Sequence, residues 1–224
     1  MAIRDEMRVE GSPGGSDPKE NSGAGMIIDH RPLPLRSAIA SLGRCVLRTL
    51  ALMSRHEISQ PTNRVGQVLR FGDGSGGRIY RETVVRSAPV DSPAFLVVAF
   101  RLRWIGGRGH ALFRAESLLN TPLFVGFPGF RSKLWLAHDE NAVYRGVYEW
   151  DGARLADRYV RALWWVLALV SLPGSIHYVV LPGLRRDEVL LDPSVLQASQ
   201  GCQGRAWWRL TTVEAPMVRG TPVL

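Results

Sequence analysis

The stretch Phe130–Ala137 reads F-R-S-K-L-W-L-A. Its alternation puts Arg131, Lys133 and Trp135 on one face of a strand and Ser132, Leu134 and Leu136 on the other. Two cations and an indole on one sheet face are unusual for a simple core. Lys19 and Lys133 are the only lysines among 28 basic residues. A lysine kept in so arginine-biased a chain points to its titratable amine. The competing reading is an ion pair across the hairpin with Glu149 or Asp139. Tyr148 and Trp150 follow on the next strand, and Tyr144 shares their parity. A phenol and an indole there can orient an aromatic substrate, or can equally serve as cross-strand packing.

Of the five histidines, His30 and His56 precede the main patterned region, which holds His110, His138 and His177. His177 falls within a strand and is the best placed of them for a base; a satisfied core histidine is the competing reading. His110 opens a helix and would border a pocket mouth, whereas His138 sits in a turn. Glu116 and Asn120 are i and i+4 on that helix, on the side of Leu112 and Leu119. A carboxylate beside an apolar stripe can be a base with a raised pKa, or can pair with Arg114 or Arg131. No H-x-x-x-H spacing occurs, so no metal site is legible. Nor does a Ser-His-Asp or Cys-His set assemble.

The elements that must position these groups follow from period and punctuation. Leu35, Ile39, Leu42, Val46, Leu50 and Met53 recur at steps of three and four, which predicts an amphipathic helix. Its apolar side should dock on the main domain; as a basic amphipathic helix, residues 35–53 also suit weak contact with an anionic membrane surface. Arg64–Val85 predicts a hairpin about Gly72–Gly77. Gly72, Gly74 and Gly77 match G-x-G-x-x-G, but strand residues follow where a dinucleotide site needs a helix. After a linker at Ala88–Pro93 come a strand over Ala94–Trp104, a helix over His110–Asn120 and a strand over Phe130–His138. A returning strand over Tyr144–Trp150, a helix over Ala153–Leu172 and a strand over Ser175–Pro182 complete the set. The order β-α-β-β-α-β is the ferredoxin-like arrangement, an α+β fold. Four domains of sequence result: a disordered tail over 1–34, a helix-plus-hairpin extension over 35–90, the ferredoxin-like unit over 94–183, and a loop-rich extension over 184–224. In the last, Trp207, Trp208 and Leu210 suffice for one short packed or edge segment.

Composition bounds the rest. The 224 residues are 46% hydrophobic and 21% charged, with a formal charge of +8. That argues against a wholly disordered chain and a multi-span membrane protein. The longest apolar run, Ala162–Leu172, is too short to span a bilayer. The arginines are scattered and no nucleic-acid-binding motif occurs, so nucleic acid is not an expected partner. Cys45 and Cys202 form no disulfide framework, which makes a reducing cytoplasm the default.

Gly129–Leu163, with its alternating Lys133 and Trp135, acidic turn, Gly146 in the returning strand, and Asp-Gly break before Ala156 and Tyr159, resembles the dimeric α+β barrel superfamily. It looks most like monooxygenase-like members of the YdhR type, and the element order agrees over about residues 94–182. The resemblance implies a cofactor-independent, monooxygenase-like protein that binds an apolar, aromatic small molecule between sheet and helices. Polar groups against the sheet in that superfamily hold an oxyanion or phenolate. Lys133, Tyr148, His177 and Glu116 are then the catalytic candidates, and Arg131, Trp135, His110, Asn120 and Trp150 the substrate contacts. Two alternatives stay open: a non-catalytic dimeric ligand-binding or interaction protein, and a haem-binding relative using His177 or His110. With both helices on one side of the sheet, a second copy of the chain is the expected cover for the other face.

Overall fold

A computed structural model describes residues 26–86, 89–103, 123–196 and 206–216. The helix expected over 110–120 lies outside them, and with it His110, Glu116 and Asn120. The chain forms an α+β fold in which the described residues make one antiparallel sheet of nine strands in the order β1-β8-β5-β7-β6-β4-β3-β9, with β2 paired to β4. The strands are β1 Ile27–Ile28, β2 Ile58–Ser59, β3 Val68–Phe71, β4 Gly76–Val85, β5 Pro93–Arg101, β6 Phe130–Leu136, β7 Val143–Asp151, β8 His177–Pro182 and β9 Leu210–Glu214. Among the described residues three α-helices accompany them: α1 Leu35–Ser54, α2 Ala153–Val170 and α3 Arg186–Leu191.

β5 lies inside the sheet between β7 and β8. It is buried on both faces, which is why its sequence is a continuous apolar run rather than an alternation. Ala94, Leu96 and Val98 point to a core shared with α1 and α2, together with Trp135, Tyr148, Trp150 and Tyr178. Phe95 and Val97 point the other way, to a second core with Leu134, Leu136, Val147 and Val179. The chain's own C-terminal stretch covers that second face, through Val189, Leu190, Leu196, Trp208 and Leu210. The face expected to await a second copy is therefore occupied from within.

Two further expectations change. The hairpin of β3 and β4 is no separate extension, because β4 continues the sheet by pairing with β6. The tail expected to be disordered up to residue 34 is ordered in its last part. Ile27 and Ile28 pair with Val180 and Val179. The Asp29 carboxylate accepts the Tyr178 backbone N–H at 2.7 Å. This edge of β8 would otherwise leave its backbone groups unpaired.

α1 forms where its periodicity predicts, but it docks by a different face. Its buried residues are Ala38, Ser41, Cys45, Thr49 and Leu52. Leu35, Ile39, Leu47, Leu50 and Met53 are all exposed, at 52–70%. The reason is Gly126, in the turn before β6. A Cβ built there would lie 2.0 Å from the Cys45 carbonyl oxygen, so helix and turn meet backbone to backbone. Only small side chains fit a contact that close. Gly43, by contrast, lies on the exposed side with nothing near its missing Cβ. Gly43→Ala should stabilise the protein by about 0.5–1 kcal/mol, by lowering the entropy of the unfolded helix segment. A raised urea midpoint with an unchanged m-value would verify this; a lowered midpoint would show that the exposed side of α1 is not free.

Candidate functional site

Lys133 sits on β6 directly opposite Tyr148 on β7 and Thr83 on β4. The pleat sends it to the α1–α2 side of the sheet, where it is 8% exposed. Its Nζ lies 3.2 Å from the Trp135 ring centroid, 4.6 Å from that of Phe124 and 4.9 Å from that of Tyr148. The rings come from three places: Trp135 two residues along β6, Tyr148 from the neighbouring strand, and Phe124 from the turn before β6. Trp135 is fixed in turn by an Nε1–H bond to Thr83 Oγ1 at 3.1 Å. Gly146 makes room for the cage, since a Cβ there would fall 2.7 Å from the Tyr148 ring. The Tyr148 phenol accepts a bond from Tyr159 of α2 at 3.3 Å.

No carboxylate among the described residues pairs with Lys133, so the ion-pair expectation is corrected at both named partners. Glu149 points to the opposite face, toward Arg185 of the C-terminal stretch. Asp139 is bound to Arg145 at 2.6 Å. The contrast with the other face is informative. There the buried Glu82 pairs with the buried Arg186 at 2.7 Å. A charge without a counter-charge is the costlier state. Burial pushes the Lys133 amine well below its ordinary value, and the nearby Arg81 guanidinium adds to this. The ring faces favour the charged form by about 0.5–2 kcal/mol each. That is less than full hydration returns, so the net direction is down. Burial likewise pushes the Tyr148 and Tyr159 phenols above their ordinary value, so both stay protonated.

The remaining predicted residues divide. Trp135 and Tyr148 are at Lys133. Trp150 is fully buried one pair further along β7, 5.6 Å from Phe130 and 4.8 Å from Tyr159 between ring centroids. Its indole N–H finds no acceptor among the described residues. Arg131 is not at the cage. A bulge between Phe130 and Ser132 interrupts the alternation, and the Arg131 guanidinium bonds Asp151 at 2.6 Å. His177 is also elsewhere: β8 lies three positions across the sheet from β6, and its Nδ1 is 2.9 Å from the Asp29 carboxylate. His110, Glu116 and Asn120 lie outside the described residues. Phe124 and Thr83 have no part in the sequence reading, and Tyr159 enters it only through the resemblance, with no role at the site. They come from a turn, a second hairpin and a helix, and no local pattern ties them to Lys133.

Among the described residues, no group of His, Cys, Asp and Glu could hold a metal ion. No family model and no curated protein matches the chain. One similar solved structure is described as that of a major regulator of staphylococcal pathogenesis. It is 10% identical, covers 69% of this chain and 96% of its own, and superposes with a TM-score of 0.32. At that score the likeness carries nothing about fold or function.

Proposed function

We propose that the chain is a ferredoxin-like relative of the dimeric α+β barrels in which its own C-terminal stretch takes the sheet face of the second copy, and that Lys133 is the reactive centre of a cofactor-independent, monooxygenase-like site for a small aromatic molecule. The strand order β8-β5-β7-β6 supports the first part, since a β-α-β-β-α-β unit lays its strands down as fourth, first, third, second. The observation that carries the second part is the buried amine enclosed by Trp135, Tyr148 and Phe124 with no carboxylate among the described residues to hold its charge. A neutral amine in such a place accepts the proton of a bound phenol or quinol. The ammonium formed then holds the phenolate, and the rings stabilise that ammonium. The electron-rich phenolate is the species that reacts with dioxygen directly. Phe124 stands on a turn rather than on the sheet, and is the wall that yields to a substrate ring.

Two lysines in the whole chain make the test direct. With lysine labelled with 13C at Cε, Lys133 gives one of two signals, assigned by its loss in Lys133→Met. That signal should titrate well below 10.5, the ordinary value for lysine, and a bound phenol should raise its midpoint. Lys133→Met should abolish the phenol effect and, at neutral pH, stabilise the fold by about 1–3 kcal/mol by removing an uncompensated buried group. The sign with pH follows from the lowered pKa. Between it and 10.5 the unfolded chain binds the extra proton, so wild-type stability rises with pH and the mutant's advantage fades. An ordinary midpoint that phenols leave unmoved would sink the assignment of Lys133 to a site.

A further inference from the structure

Three arginines converge on one cavity beside α1 with no acid among the described residues to meet them. Arg44 and Arg48 are i and i+4 on α1, and like charges at that spacing repel. With Ser41 and Cys45 they fall within a sector of about 100° around the helix axis. That sector lines a cavity of about 400 Å³, closed by the turn carrying Gly126–Pro128 and by the first turns of α2, which add Arg158. All three arginines are exposed, and Arg44 Nη2 leans to 3.5 Å from the Ser41 hydroxyl oxygen. Elsewhere in the fold arginines meet acids: Arg131 holds Asp151, Arg145 holds Asp139, Arg161 holds Asp157 and Arg186 holds Glu82. Here no carboxylate pairs with any of the three among the described residues, and α1 has no acidic residue. The floor is apolar. Phe127 is buried and meets the Tyr159 ring edge-on, 5.2 Å away between centroids. Burial pushes the Cys45 thiol up to about 11, so it brings no negative charge at neutral pH. Leu155 of α2, 37% exposed, is the apolar wall beside Arg158.

We propose that this cavity is a binding site for a soluble organic phosphate, a phosphate monoester held by Arg44, Arg48 and Arg158 with a small apolar body against Phe127 and Leu155. Charge selects the head. Planar guanidinium groups offer paired donors that match phosphate oxygens, and a dianion offsets more of three like charges than a carboxylate does. Size selects the body. A cavity of about 400 Å³ is in the range of small-molecule sites, and a bare phosphate would leave its apolar floor in water. The site is independent of the Lys133 amine, because neither Lys133 nor any of the rings around it lines this cavity.

The full chain is tested by calorimetric titration with phenyl phosphate, inorganic phosphate and benzoate. Phenyl phosphate should bind one to one and about tenfold more tightly than either of the others, and added salt should weaken it. Arg44→Gln with Arg48→Gln should weaken it about a hundredfold, counting about tenfold for each charge-assisted partner lost. The double variant should unfold no earlier than wild type, because both side chains are exposed and repel each other. Leu155→Ala should weaken phenyl phosphate about threefold and leave inorganic phosphate unchanged. Arg36→Gln, which removes the same charge from the far side of α1, should leave binding unchanged, and so should Lys133→Met. Failure to bind phenyl phosphate at millimolar concentration overturns the proposal, as does equal binding by the double arginine variant. A loss in Arg36→Gln as large as in that variant reduces the effect to net charge and overturns it too. Benzoate bound as tightly as phenyl phosphate overturns the choice of phosphate, and inorganic phosphate bound as tightly overturns the apolar body. A loss in Lys133→Met moves the ligand to the Lys133 cage and overturns the assignment to this cavity.

Discussion

Gly126→Ala should lower stability by about 3 kcal/mol or more, far beyond the usual cost of one added methyl. The new Cβ would lie 2.0 Å from the Cys45 carbonyl oxygen, 2.7 Å from Thr49 Oγ1 and 2.8 Å from the Thr49 backbone nitrogen. Two of these are backbone atoms inside a helix, so no rotamer change relieves the clash. Either α1 or the turn before β6 must move. Moving α1 also exposes Cys45, a thiol that is 1% exposed and pushed up to about 11 by burial. The substitution should therefore turn an unreactive thiol into one that a thiol reagent titrates in the folded protein. Urea unfolding followed by circular dichroism reads the first effect, and labelling kinetics at neutral pH the second. A loss under about 1 kcal/mol with Cys45 still protected would show that helix and turn do not meet at this distance.

The β6–β7 hairpin that presents Lys133 and Tyr148 depends on Asp139, and Asp139→Ala should cost about 3–5 kcal/mol. One carboxylate oxygen accepts the backbone N–H groups of Asn141 and Val143 at 2.8 and 2.9 Å. The other takes Arg145 Nη1 at 2.6 Å. Both side chains are buried, at 1% for Asp139 and 3% for Arg145. Removing the acid leaves a buried guanidinium with Asp73, 3.1 Å from Nη2, as its remaining acidic partner among the described residues. Arg145→Met in the Asp139→Ala background should recover part of the loss, because it removes the unpaired charge while the turn stays uncapped. Stability falling further in the double variant would refute the pairing as the source of the cost. So would a single variant within about 0.5 kcal/mol of wild type, the ordinary range of surface changes.

The hairpin was legible because its signals are local. Alternation over Phe130–Leu136 and a turn-forming stretch after it define two strands, and the pleat then puts Lys133, Trp135 and Tyr148 on one face. The same reasoning failed at Arg131, since a bulge adds one residue and the alternation restarts beyond it. It failed again for the partner of Lys133. Asp139 was one of the two acids expected across the hairpin, but Arg145 lies on the same hairpin and claims it. His177 read as a free base because its acid, Asp29, is 148 residues away in a segment with no apolar period of its own.

What the sequence by itself determined is which residues repeat with which period: helix over Leu35–Ser54, strands at β3 to β8, and the grouping of side chains on common faces. Those properties arise within a few residues of backbone geometry, so a local pattern suffices for them. Only the tertiary structure decided which face meets what. Periodicity marked Leu35, Ile39, Leu50 and Met53 as part of the inner side of α1, yet beside the close approach of Gly126 the helix buries Ala38, Ser41, Cys45, Thr49 and Leu52. The second face of the sheet went to the C-terminal stretch, and the Lys133 amine to rings from β6, β7 and a distant turn. Each of these is a contest between partners far apart in the chain. It is settled by the space and charge left when the whole fold closes, which no window of sequence contains.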